Sequence, residues 1–190
     1  MPRPKDPEGP RAAMIDSAIS LIRRRGVAAV SFTDVLQASG APRGSVYHHF
    51  PGGRAQLMTE ATEAASSRVT TGVTKALTAP QSAAALRALA DMLARGLDKH
   101  DYALGCPIAA AALGNEPGAV AAAGSAFDTL RELVAAKLVE DGARPERARS
   151  IALLVISALE GALIVARTER GLDTVVEELS EICRGAVEDR

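Results

Sequence analysis

The stretch SFTDVLQASGAPRGSVYHHF, residues 31–50, decides how this chain folds. It reads as two short helices separated by Gly40-Ala41-Pro42, in a chain whose other helical segments are long and rich in Ala and Leu. Gly40 permits a left-handed backbone at a sharp turn, and Pro42 presets φ where the second piece starts. Thr33 is placed to cap the first piece, with Asp34 in its opening turn. Val35, Leu36 and Ala38 supply its apolar side, while Val46 and Phe50, one turn apart, supply that of the second piece. Two short helices around a tight Gly-containing turn make a helix-turn-helix, whose second helix enters a DNA major groove. The polar residues suit that task. Arg43 forks onto a guanine edge or a phosphate, and Thr33, Ser45, Tyr47 and His48 carry donors at phosphate reach. Gly44 and Ser45 are small enough for the backbone to approach a duplex, and Arg54 adds a cation at the start of the next helix.

Outward from this motif the chain reads as all-α, with about nine helices, no alternating strand pattern and no internal repeat. The periodicity places helices over 11–25, 33–39, 43–50, 54–77, 81–99, from 107 to a break at 114–118, over 120–141, 145–170 and 172–187. Residues 1–10 hold four prolines and form an arm whose Arg3 and Lys5 are candidates for a minor groove. This gives two domains: 1–53, a helix-turn-helix DNA-binding domain with its arm, and 54–190, a second helical domain whose ligand-binding and dimerisation role rests on the family resemblance that follows.

Composition narrows the function classes. The 190 residues carry 22 basic and 23 acidic side chains, but the charge is split along the chain. Residues 1–60 have an excess of three positive charges and the remainder is net −4, so the basic end is the one suited to an anionic partner. Cys106 and Cys183 make no disulfide framework, and no Cys/His spacing fits a zinc site. The first eleven residues lack an apolar leader core, and the longest apolar run, 151–166, is shorter than a membrane span and interrupted by Glu160. The expectation is a cytoplasmic protein with no membrane partner, metal or cofactor. Cys106 lies near His100 and Asp101, a nucleophile-and-base set without an oxyanion loop; the other readings are a core or pocket wall and a redox-sensing thiol. Glu160 either pairs across a dimer, lines a pocket or sits at an exposed edge. Besides a DNA-binding regulator, the residues leave open a helical adaptor without DNA activity and, least favoured, an enzyme using Cys106.

The run TDVLQASGAPRGSVYHHF (33–50), followed by PGGRAQL (51–57), resembles the N-terminal domain of the TetR family of bacterial transcriptional repressors, over about residues 11–57. GCPIAAAALG (105–114) is similar to the LmrA/YxaF-type branch of that family. The chain departs from the pattern at Pro42, where Ser or Thr is usual and would cap the helix, and at Arg54, where Lys is commoner. The resemblance implies a homodimeric repressor that binds a palindromic double-stranded DNA operator and is released by a small-molecule effector. It implies a four-helix bundle built from the last two helices of each protomer, where Ala158, Gly161 and Ala162 would allow close approach. It also implies an effector pocket among the helices of the second domain, with Met92, Leu93, Cys106, Ile108, Phe127, Leu130, Leu154, Ser157 and Gly161 as candidate walls. With three Phe, two Tyr and no Trp, the chain is poorly supplied for a cation cage, which favours a neutral ligand contacting aliphatic groups. Helix 54–77 is the natural lever between the two functions.

Overall fold

A computed structural model describes residues 9–188 of the chain, without the side chain of Arg43. The N-terminal arm with Arg3 and Lys5 lies outside the described residues. Within them there are nine α-helices and no strand. In order they are α1 (Gly9–Arg25), α2 (Phe32–Ser39), α3 (Val46–His49), α4 (Gly53–Ala76), α5 (Ser82–Asp98), α6 (Pro107–Ala112), α7 (Pro117–Glu140), α8 (Pro145–Glu169) and α9 (Asp173–Glu188). Short 3-10 turns occupy Val27–Ala29 and Arg43–Ser45.

Local chemistry sets these boundaries. Arg23, Arg24 and Arg25 fill the last turn of α1, and Gly26 then takes a positive φ of 78°. The cap of α2 is Ser31, not Thr33. Its hydroxyl accepts from the Asp34 N–H at 3.2 Å, and Asp34 accepts from the Ser31 N–H at 2.9 Å, a reciprocal capping box. Asp34 substitutes for the longer acids usual in that motif, which is why the spacing points to Thr33 when read by eye. Gly40 closes α2 at φ 67°, donating its N–H to Leu36 O at 3.0 Å. The expected helix over 43–50 is a 3-10 turn followed by only four α-helical residues. Pro42 is extended at ψ 136°, and the Ser45 hydroxyl closes back on Pro42 O at 2.7 Å, so the segment begins as a tight turn.

The chain forms two compact units: residues up to Ser66 with Pro107–Gly124, and Ser67–Cys106 with the residues from Ser125 onward. This differs from the contiguous division at 53/54 read from the sequence. In the first unit α1 packs on α2 and α6, around Met14, Ile22, Val35, Val46, Phe50, Leu57, Met58 and Ile108, all essentially inaccessible. Burying each such side chain contributes about 1.5–3 kcal/mol, enough to hold the small helices as a rigid base. The Arg11 guanidinium lies 5.3 Å from the centre of the Phe50 ring and pairs with Glu60.

In the second unit α9 packs on α5 and α8. One apolar cluster joins Ala90, Leu97, Ala162, Leu163, Ala166, Leu172 and Val176. Asp141 ties the start of α5 to the end of α7, accepting from the Ser82 N–H and hydroxyl and from Lys137 at 3.0 Å. α8 is the one described helix long and apolar enough to cross a membrane by length and composition. Its buried residues, from Ala148 through Ala166, follow a helical stripe against the unit's own core.

Candidate nucleic-acid interface

The strip around the 3-10 turn is built as a core-anchored platform. Val46 is 2% and Phe50 0% exposed, as the one-turn spacing predicts. On the other side Pro42, Gly44, Tyr47 and His48 are exposed, and Tyr47 is 72% exposed. A side chain added at Gly44 would meet nothing within 4 Å. The Tyr47 ring leans on Phe32, with centroids 6.2 Å apart and planes at 58°, so α2 steadies the phenol while its hydroxyl end stays open. The rings of His48 and His49 sit edge to face at 5.2 Å. Thr33 is exposed on the first turn of α2, and Ser45, half-buried, keeps its oxygen as an acceptor while donating to Pro42 O. Asp34 is held below the ordinary carboxylate value, chiefly by hydrogen bonds from Ser31, with Arg25 adding its charge at 3.3 Å. The strip therefore offers hydroxyl, imidazole and small-residue backbone surface on a packed scaffold, the set that phosphate-positioning contacts use.

Arg54 is placed differently from the sequence reading. Its guanidinium turns onto the protein: Nε donates to Val30 O at 2.7 Å, and the two remaining nitrogens reach Val27 O and the Glu116 carboxylate. Each of its three nitrogens donates one hydrogen bond inside the first unit, because two carbonyls of the α1–α2 connector and one carboxylate converge on that point.

The nine residues expected to wall an effector pocket do not share one environment. Ile108 is fully buried in the first unit, whereas the other eight belong to the second. The thioether of Met92 fills the space beside Gly72, its sulfur 2.7 Å from where a Cβ there would lie. Leu93 and Cys106 pack on the α5–α8–α9 cluster, Leu130 is buried and Phe127 half-buried. Leu154, Ser157 and Gly161 instead lie on the exposed side of α8. Two cavities are described in the second unit, and none of the nine lines either. One, about 20 Å³, is lined by residues such as Leu86, Leu89, Val134 and Cys183; the other, about 410 Å³, lies between Arg131, Glu132, Ala135, Arg149, Ser150 and Leu153.

Glu160 has a partner that the sequence reading did not name. Burial pushes its carboxyl above the ordinary value, and a hydrogen bond from the Cys106 thiol offsets part of that. Among the described residues no group of three or more His, Cys, Asp or Glu side chains is placed to hold a metal ion.

Comparison with known proteins follows the same division of labour. Residues 14–61 match the family described as bacterial regulatory proteins, tetR family, and residues 82–177 match the LmrA/YxaF-like transcriptional regulator C-terminal domain. An HTH-type transcriptional regulator of Mycobacterium tuberculosis is 40% identical over 96% of this chain and 98% of its own length. The HTH-type transcriptional regulator LmrA of Bacillus subtilis is 26% identical over 84% of this chain and 87% of its own. Among solved structures, a regulatory protein TetR from Rhodobacter sphaeroides superposes with a TM-score of 0.80 at 20% identity, covering 92% of this chain and 97% of that one. CifR, crystallised as a cysteine mutant with a 26-bp operator duplex, superposes at 0.71 and 20% identity over 100% and 99% of the two chains. Motif, fold and full-length similarity together place this chain in the TetR family of helix-turn-helix transcriptional regulators, in its LmrA/YxaF-like branch.

Proposed function

We propose that the chain is a repressor that binds a palindromic double-stranded DNA operator as a homodimer and is released from it by a small, mainly apolar effector. It acts in the cytoplasm and without catalysis. The observation that carries this reading is the exposed strip from Pro42 to His48 standing on the buried pair Val46 and Phe50. In this reading Arg43 reads a guanine edge or a phosphate. Thr33, Ser45, Tyr47 and His48 set register on the backbone, and Pro42 and Gly44 shape the close approach.

The dimer is supported by α8. Its outward side shows Leu153, Leu154, Ile164 and Val165, with exposed Ser157 and Gly161 between them. That is an apolar stripe interrupted by small residues, suited to close packing of helices about a two-fold axis. For the effector, Met92, Leu93, Cys106, Phe127 and Leu130 remain candidate contacts. The Cys106–Glu160 pair adds a polar point that orients a ligand hydroxyl or carbonyl. Release follows from linkage: the effector lowers operator affinity only by preferring a state with altered spacing of the recognition segments.

Selection of bound duplexes from a random pool tests the reading. The expected product is an inverted repeat whose half-site centres lie about 34–36 Å apart, or a multiple of that. Enrichment of no sequence, or of unpaired single sites, contradicts it.

A further inference from the structure

Arg54 is the centre of a polar cluster in the first unit. The residues it grips are informative. Val27 and Val30 belong to the connector between α1 and α2, and the residue after Val30 is Ser31, the cap of α2. Glu116 belongs to the connection between α6 and α7. One guanidinium thus ties the entry of the helix-turn-helix to a segment more than sixty residues away in sequence.

A second observation points to the same contact. A Cβ on Gly114 would sit 3.0 Å from the Val27 Cβ, and one on Gly118 would sit 2.3 Å from the Thr59 hydroxyl oxygen. The α6–α7 connection therefore presses on the connector at Gly114, and the first turn of α7 presses on α4 at Gly118, where an added side chain would displace the Thr59 hydroxyl. Arg54 with Glu116 is the charged fastening in the middle of that press, with side chains only 28% and 20% exposed. The fork geometry matters. A guanidinium holds several acceptors at fixed angles, whereas a lysine ammonium is a point charge on a flexible stem.

We propose that Arg54 and Glu116 are positioning residues for operator recognition: they fix the Val27–Val30 connector against the α6–α7 connection, and through Ser31 set the placement of α2 and of the recognition segment. This rests on the operator-binding reading above. Neither side chain touches DNA in it.

The test uses the full chain and the duplex that the wild type enriches. Glu116→Gln adds no bulk and makes the protein one charge more positive, a change that by electrostatics alone tightens binding to DNA. The proposal expects the reverse: about tenfold weaker binding to the selected duplex, the scale of a lost charge-assisted hydrogen bond. The slope of log affinity against log salt stays as in the wild type. Arg54→Lys separates positioning from phosphate contact. A lysine preserves a phosphate contact and its affinity, but loses the fork and, on this proposal, weakens binding as Glu116→Gln does. Hydrogen exchange over residues 26–36, measured without DNA, is expected to quicken in both variants. Wild-type affinity in either variant overturns the proposal, as does weaker binding with unchanged exchange. A wild type that enriches no duplex instead sinks the operator-binding reading, before any variant is made.

Discussion

Ile164→Arg is the substitution that most directly strikes the proposed dimer. Ile164 is 67% exposed in the protomer, the most exposed large apolar residue of the outward stripe of α8 and near its C-terminal end. Fully burying an Ile side chain is worth about 1.5–3 kcal/mol, so covering the exposed two-thirds in a dimer contributes about 1–2 kcal/mol. A two-fold axis counts the loss twice, about 2–4 kcal/mol, or roughly 30-fold to 1,000-fold in the dimer dissociation constant. The paired arginines add repulsion to that figure. The fold of the protomer is untouched, because the side chain faces away from the core that Leu163 and Ala166 join. Sedimentation velocity over a concentration series reads the result directly. The wild type is expected to run as a dimer, and the variant to dissociate at concentrations where the wild type does not, with the same helical content. A variant that sediments as the wild type does refutes the assignment of this stripe to the interface.

Other consequences follow from the second unit. Burial acts to raise the Asp141 carboxyl, but hydrogen bonds from Ser82 and Lys137 outweigh it and hold it below 3.8. Asp141→Ala should therefore cost about 1 kcal/mol at neutral pH, the scale of a lost helix cap, with the difference from wild type shrinking as acid protonates the carboxyl below that value; equal stability at pH 7 contradicts this. Glu160 has its carboxyl raised above 4.5 by burial, so the wild type loses stability as pH climbs past that value. Glu160→Gln should melt higher than wild type at pH 7 and lose that advantage near pH 4, and a gain that does not vary with pH would show that the charge is not its source. Burial, with Asp141 nearby, pushes the Cys183 thiol up to about 11. At pH 8 an alkylating reagent should label half-buried Cys106 well before Cys183, by peptide mass spectrometry, and equal labelling of the folded protein would contradict the placement.

Helical periodicity was sufficient for most of the fold, because each long helix carries its own apolar stripe and its own punctuation. Pro107 and Pro145 open α6 and α8, and Gly40 closes α2, as read. One miss is local: Ser31 is the cap because Asp34 three residues on closes a capping box, with Asp in place of the usual Glu or Gln. The others are tertiary. Arg170 closes α8 in a left-handed conformation at φ 55°, paired with Asp101 at 2.7 Å and stacked on Tyr102, contacts that the helical pattern over 145–170 does not announce. The intramolecular contacts of Arg54 were not legible, because its partners, two carbonyls and a glutamate far along the chain, leave no mark in its neighbourhood of sequence. The exposed strip was legible because spacing alone separates Val46 and Phe50 from Tyr47 and His48. The effector contacts were less so, since apolar residues on helices look alike whether they face a core, a cavity or a second copy of the chain.

The central claim is that the segment from Pro42 to His48 meets DNA. The measurement is the affinity of an Arg43→Ala/Tyr47→Phe variant for the selected duplex, followed across salt concentrations alongside the wild type. Specific binding should fall by more than about tenfold and the salt slope should flatten by about one for each phosphate contact removed, while thermal unfolding stays the same. A variant that matches the wild type in affinity and in slope would mean that DNA is held by another surface.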